Sequence, residues 1–184
     1  MPDFEFVTHL LAKRCYPEAA YLAAVSAIKA HSAVAHMLAG VACCGCAEPL
    51  AIGQRALEGA SAPHEENASE PRTCPATDLL YEGFFHLIEA VRLDSSIEAP
   101  AALRDQFDAI ADDLAYVSRR ELHAPADRRK RYSLRIASVA AAVLLRRLTR
   151  TAKELPGVME PLRDSAVQII EVELSRTGGD AMFY

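Results

Sequence analysis

One stretch of apolar residues recurs with the spacing of an α-helix, and this pattern constrains the fold more than any other feature of the chain. Leu103, Phe107, Ile110, Leu114 and Val117 follow one another at steps of four, three, four and three residues. Such steps place side chains on one stripe of a helix. The strand signals of sustained apolar–polar alternation and Asn-Gly or Asp-Gly hairpin turns do not occur. The chain is therefore expected to be all-α.

Composition indicates one helical domain. The 184 residues are 51% hydrophobic and 24% charged, which is typical of a globular chain of this length. Alanine, the strongest helix former, supplies much of the hydrophobic share. We predict a single domain over residues 1–184, built as an antiparallel helical bundle of six or seven helices joined mostly by short turns.

Proline, glycine and capping residues divide the chain into these helices. The second predicted helix is the most apolar and is expected to be central, with Gly40 ending it, and Thr77 is the expected cap of the fourth. Residues 59–76 contain three prolines and several small polar residues, so they are predicted to form a flexible loop. The predicted helices cover residues 3–14, 18–38, 49–57, 78–93, 99–122, 128–154 and 158–175.

Charge and cysteine usage exclude several classes of protein. The net charge is −5, which argues against a nucleic-acid partner. Nine Lys and Arg residues lie between Arg128 and Lys153, and a cluster of this kind can bind phosphate. The favoured interpretation is that they form a solvated face. There is no secretory signal pattern and no uncharged apolar stretch long enough to span a membrane. Five irregularly spaced cysteines indicate reduced thiols, so we expect a cytoplasmic protein that does not contact membranes.

Two groups of side chains have the spacing of metal ligands. Cys43 and Cys46 form a C-x-x-C pair, whose thiolates can chelate a metal or form a redox disulfide. Glu82, His86 and Glu89 share one helix face, as ligands do in metal-binding bundles. Neither group has a second copy in the sequence that would complete a set of metal ligands. The favoured interpretation is therefore that the cysteines pack a helix end as small residues, and that Glu82, His86 and Glu89 form a solvated helix face. We therefore expect no metal and no cofactor.

Three pieces of the sequence resemble the cyclodeaminase and methenyltetrahydrofolate cyclohydrolase family, whose members are all-helical. A first helix beginning near Phe6 is followed by Pro17 and by an alanine-rich helix over 19–38, in the order found in that family. Residues 50–54, Leu-Ala-Ile-Gly-Gln, are similar to the family's Leu-Thr-Ile-Gly-Lys segment. Residues 110–116 look like its Ala-Asp-x-Asp-Ala helix.

The resemblance implies a reaction and a set of site residues. The family's chemistry adds water to the cationic amidine carbon of a folate-like or other cyclic small molecule, and then expels an amine or opens a ring. Asp112 and Asp113 match the acidic helix position and are the candidate catalytic residues, because a carboxylate can stabilise the cation and accept a proton from water. The family's Pro-Gly-Gly-Gly-Ser loop reads Pro-Glu-Ala-Ala-Tyr at 17–21. Pro17 and Tyr21 of this loop are candidate substrate-binding residues. Ser26, Lys29 and His31 are further candidates on a different ground, because these polar residues interrupt an apolar helix and can line a pocket.

A non-enzymatic helical interaction module is the alternative function. It needs no catalytic group, and the chain contains no G-x-G-x-x-G, Walker, G-x-S-x-G or H-E-x-x-H motif. A concave pocket with convergent polar groups would favour the enzyme, and an exposed apolar patch would favour the module. We expect a homo-oligomer in either case, most simply a dimer, because the second helix is apolar around most of its circumference and residues 182–184 form an apolar tail.

Overall fold

The computed structural model describes residues 4–60, 75–118, 134–150 and 160–175. Within these ranges the chain is helical and contains no strand, so the predicted all-α bundle of six or seven helices is confirmed. A short 3-10 turn, Ala101–Leu103, precedes the fifth helix. The helices are α1 (Phe4–Ala12), α2 (Tyr16–Ala30), α3 (Ala33–Ala60), α4 (Pro75–Leu93), α5 (Arg104–Ser118), α6 (Leu134–Thr149) and α7 (Glu160–Ser175).

The core forms around α3, which packs along α2 and α4 and also contacts α1, α5 and α6. On the other side, α6 packs on α4, α5 and α7. The apolar stripe predicted from residues 103–117 is buried throughout, with Phe107 and Leu114 fully enclosed. Apolar side chains of α3, α4, α5 and α6 complete the core. Burial of this stripe is what fixes α5 against the rest of the bundle.

The prediction of one helix over 18–38 is wrong, because the chain breaks after α2. His31 adopts a left-handed backbone with φ of 44°, and its N–H donates to the carbonyl of Ala27 at 3.0 Å. Ser32 then caps α3, since its hydroxyl accepts a hydrogen bond from the N–H of Ala35 at 3.5 Å. Apolar residues continue on both sides and mask this break in the sequence. The central helix is therefore α3, and α2 lies at the side of the bundle.

Gly40 lies inside α3 and does not end a helix as predicted. A Cβ atom at Gly40 would come within 2.6 Å of the Leu87 Cγ and 2.9 Å of the Gly83 carbonyl oxygen. A Cβ atom at Gly83 would lie 2.9 Å from the Cys44 Sγ. The two glycines thus face each other where α3 crosses α4, and their missing side chains allow the two backbones to approach.

Several other predicted boundaries differ from the structure. The helix predicted over 49–57 is part of α3, which continues through Pro49. Thr77 lies within α4 and does not cap it, because α4 begins at Pro75, a residue suited to a first helical turn. Of the predicted loop, 61–74 lies outside the described residues, while its edges belong to α3 and α4. The basic residues 128–131 and the tail 182–184 also lie outside the described ranges.

One segment of α3 is long and apolar enough to cross a membrane. It covers Ala33–Leu50, and 67% of it is buried inside the bundle. A core helix meets the same criteria of length and hydropathy. The segment is therefore weak evidence for a membrane span.

Candidate functional site

Four of the five candidate substrate-binding residues lie on more than one face of α2, and the fifth, His31, directly follows this helix. The hydroxyl of Ser26 is turned inward and donates to the carbonyl of Leu22 at 2.8 Å, so its hydrogen-bonding capacity is used within the helix. The other four are exposed, and they are Pro17, Tyr21, Lys29 and His31. The structure therefore does not bring this set together around one point.

Asp112 forms an ion pair that joins α5 to α6. The Nη2 of Arg146 donates to the Asp112 carboxylate, and its Nη1 lies 3.7 Å from the Asp108 Oδ1. The Thr149 hydroxyl lies 3.1 Å from the same Asp108 oxygen. Only 8% of the Arg146 side chain is exposed. Asp112 thereby balances a buried guanidinium, which the sequence did not reveal because the two residues are 34 positions apart.

Asp113 belongs to a different cluster, in which its carboxyl group and that of Glu48 from α3 form an acidic pair. Partial burial raises the pKa of Asp113, and the neighbouring charge of Asp112 raises it further. Burial also raises the pKa of Glu48, with the charge of Asp113 as the next cause. Arg14, in the turn between α1 and α2, opposes both shifts. The acidic pair therefore carries negative charge that one arginine offsets only in part.

The turn between α1 and α2 is held beside the acidic pair by Tyr16. A Cβ at Gly45 would lie 2.6 Å from the Tyr16 ring, so the ring packs directly on the α3 backbone. The side-chain amide of Gln106, on α5, donates to the Tyr16 hydroxyl at 2.9 Å and to the Leu11 carbonyl. Burial raises the pKa of Tyr16. The turn after the first helix and the acidic part of α5 therefore meet in the fold.

A pair of histidines that no pattern in the sequence predicts joins α3 to α4. The Nδ1 atoms of His36 and His86 are 2.9 Å apart, and their ring centroids are separated by 5.1 Å. Burial, the larger cause, and the charge of His86 together lower the pKa of His36 to about 4, while the charge of Glu89 opposes the shift. His36 lies four residues before Gly40, and His86 three after Gly83, so both sit one turn from the glycine crossing.

The C-x-x-C pair lies on α3 and its thiols are held in the protonated form. Cys43 is buried, and burial followed by the charge of Glu82 raises its pKa to about 12. Cys46 is half-buried and its pKa is also raised by burial. A protonated thiol is a poor nucleophile and a poor metal ligand. In the described part of the chain, no group of three or more His, Cys, Asp or Glu side chains is placed to hold a metal ion.

The exposed side of α2 carries large apolar residues and is called here the α2 face. It consists of Tyr21, Leu22, Val25 and Ile28, with Glu18 near one end and Lys29 near the other. Tyr21 is 71% exposed and Ile28 is 72% exposed. The apolar sequence of this helix predicts burial, because a pattern of apolar residues does not show which of them face solvent.

Comparison with known proteins finds no protein-family model, no curated protein and no solved structure that matches this chain.

Proposed function

We propose that the chain is a helical interaction module that binds an amphipathic helix of a protein partner on the α2 face. The observation that carries the proposal is the exposure of Tyr21 and Ile28, which lie seven residues apart on one stripe of α2. Large apolar side chains grouped on a surface mark protein interaction sites. A helical stripe of this kind matches a partner that presents its own apolar stripe.

The order of residues around α2 supports the proposal. A helix at the side of a bundle ordinarily buries its large apolar residues and exposes small or polar ones. In α2 the buried side consists of Ala19, Ala23, Ser26 and Ala27, while the large apolar residues point outward. Complete burial of one such side chain contributes about 1.5–3 kcal/mol. Binding of a partner helix recovers part of that free energy, which the isolated bundle does not use.

A peptide titration tests this function. The probe is a synthetic amphipathic helix with four leucines on one stripe, an acidic residue at its N-terminal end and a basic residue at its C-terminal end, and binding is measured by fluorescence anisotropy. Ile28→Ser is expected to weaken binding by about tenfold, because it removes one large apolar contact. Val172→Ser, at an exposed valine of α7, is the matched control and leaves affinity unchanged. Equal effects of the two substitutions, or no binding by the wild-type chain, would contradict the proposal.

A cytoplasmic location is part of the proposal. The buried, protonated thiols of Cys43 and Cys44 fit a reducing compartment. The proposed partner surface needs neither a membrane nor a nucleic acid.

A second candidate function is the binding of a cationic cyclic amidine or folate-like small molecule, with cyclohydrolase or cyclodeaminase chemistry. The acidic pair of Glu48 and Asp113 favours it. Burial is the main cause that raises both pKa values, and neighbouring negative charge adds to it, from Asp113 at Glu48 and from Asp112 at Asp113. A bound cation would offset that negative charge. Asp113 would stabilise the cation and accept a proton from water. Asp112, bound to Arg146, would act through its charge.

Calorimetric titration with folates and simple cyclic amidines tests this second function. We expect binding that Asp113→Asn abolishes, since the substitution removes the negative charge while keeping the shape of the side chain. Asp105→Asn, at an exposed position of the same helix, is the control. Absence of binding at millimolar ligand by the folded wild-type chain would eliminate this candidate.

A further inference from the structure

We propose that the α2 face binds the α2 helix of a second copy of this chain, in an antiparallel pair with two-fold symmetry. This inference rests on the proposed function, because it names the partner of the same surface. It depends on one further feature of α2, which is the order of charges along its exposed stripe.

The charged residues of the α2 face are placed symmetrically about its apolar centre. Glu18 and Lys29 are both exposed and stand eleven residues apart, which is about three helical turns, so they lie on the same stripe. The midpoint between them falls between Leu22 and Val25, and these two residues are equally distant from it. A two-fold axis through this midpoint, perpendicular to the helix, brings the stripe of one copy onto that of the other in reverse direction.

In this arrangement every large side chain of the α2 face contacts the partner. Leu22 packs against the partner's Val25, and the same contact occurs a second time because the pairing is symmetric. Glu18 lies opposite the partner's Lys29, again twice. Tyr21 and Ile28 both lie on the same side of the line of residues that runs from Glu18 to Lys29. Tyr21 therefore packs beside the partner's Ile28.

The charge order also selects the direction of the pair. A parallel pair in register would bring Glu18 against the partner's Glu18 and Lys29 against the partner's Lys29, which is unfavourable. The antiparallel pair turns both repulsions into attractions. A single helix face buries less area than a standard protein interface. The association is therefore expected to be reversible and dependent on concentration.

Sedimentation equilibrium of the full chain with charge-exchange variants tests the inference. The wild-type mass is expected to rise from 20.0 kDa towards twice that value as the concentration increases from about 1 to about 500 µM, as befits a small interface. Glu18→Lys and Lys29→Glu are each expected to weaken association by about tenfold, because each turns two attractive exposed pairs into repulsive ones. The double variant restores the attraction and with it the wild-type affinity.

Two further variants keep the test decisive. Asp105→Lys makes the same charge change at an exposed position of α5 and is expected to leave association unchanged. Circular dichroism shows whether a charge reversal disturbs folding. Ile28→Ser removes an apolar contact without changing the charge, so it tests the interface independently of the charge reversals. It is expected to weaken association. A mass of 20.0 kDa at every concentration would overturn the self-pairing, and so would a double variant that stays as weak as the single ones.

The results separate this inference from the proposed function. A chain that remains monomeric but binds the amphipathic peptide keeps the interaction module and rejects self-pairing. A monomeric chain that does not bind the peptide rejects both.

Discussion

The Nδ1 atoms of His36 and His86 lie 2.9 Å apart across the interface between α3 and α4. At this distance one neutral ring donates its proton to the lone pair of the other. Protonation of both rings replaces that hydrogen bond with two facing positive charges. Glu89 on α4 offsets part of this charge, while His31, just before α3, adds to it. The contact is therefore stable only while at least one ring is neutral.

The first prediction is a loss of stability in acid. The pKa of His36 in the fold is about 4, against an ordinary value of 6.5, so the unfolded chain takes up its proton first as the pH falls. Above the ordinary pKa of histidine, His36 is neutral in both the folded and the unfolded chain, so it should not make the free energy of unfolding depend on pH. Between pH 6.5 and 4 that free energy should fall by about 1–2 kcal/mol, allowing for the half-exposed position of the ring.

Urea denaturation at a series of pH values measures this effect. His36→Gln should flatten the profile in this pH window, because the substituted side chain does not titrate. His9→Gln, at an exposed histidine of α1, is the control and should retain the wild-type profile. An identical profile for wild type and His36→Gln would show that the histidine pair does not govern acid stability.

The second prediction concerns Asp113, whose shift has the opposite sign. Its pKa is raised in the fold, so its charge is disfavoured there and its deprotonation costs stability at neutral pH. Asp113→Asn should therefore raise the free energy of unfolding at pH 7 by about 0.5 kcal/mol, a small value because the group is largely exposed. The gain should disappear in acid, where the wild-type carboxyl is protonated as well. Destabilisation at pH 7 would contradict the prediction.

The third prediction concerns the ion pair between α5 and α6. Arg146→Met should lower the free energy of unfolding by about 2 kcal/mol, since it leaves Asp108 and Asp112 without their shared positive partner at a mostly buried site. Arg147→Met, at the adjacent exposed arginine, should change it by less than about 0.5 kcal/mol. Chemical denaturation of both variants makes the comparison, and equal effects would show that burial of Arg146 does not matter.

The fourth prediction concerns the glycine crossing of α3 and α4. Gly40→Ala places a methyl group 2.6 Å from the Leu87 Cγ and 2.9 Å from the Gly83 carbonyl oxygen. Because one of these atoms belongs to helix backbone, the two helices must separate, at a cost of about 1–3 kcal/mol. Thermal denaturation should therefore show a lower Tm. A Tm equal to or above that of the wild type would contradict the close approach.

Features encoded by local periodicity could be predicted from the sequence. The stripe from Leu103 to Val117 was predicted to be buried and is buried, because its spacing of three and four residues admits one helical face. The break at His31 and Ser32 was not predicted, since apolar residues continue on both sides and the left-handed backbone of His31 has no signature of its own.

Features that depend on the packing of distant helices could not be predicted. His36 and His86 are separated by 50 positions, and no local pattern indicates that they meet. The α2 face is a further case, because composition shows that a helix is apolar but not which of its sides the bundle covers. In α2 the bundle covers the alanines and leaves Tyr21 and Ile28 in solvent.

The central claim, that the α2 face is a protein-binding surface, is tested most directly by methyl NMR of Ile28. The amphipathic peptide would be titrated into the isotopically labelled chain, and the methyl signals of Ile28 and Val172 would be followed together. We expect the Ile28 signal to shift or broaden, because its exposed side chain enters the interface, while the Val172 signal on α7 stays in place. A peptide that binds without changing the Ile28 signal, or that changes both signals equally, would contradict the claim.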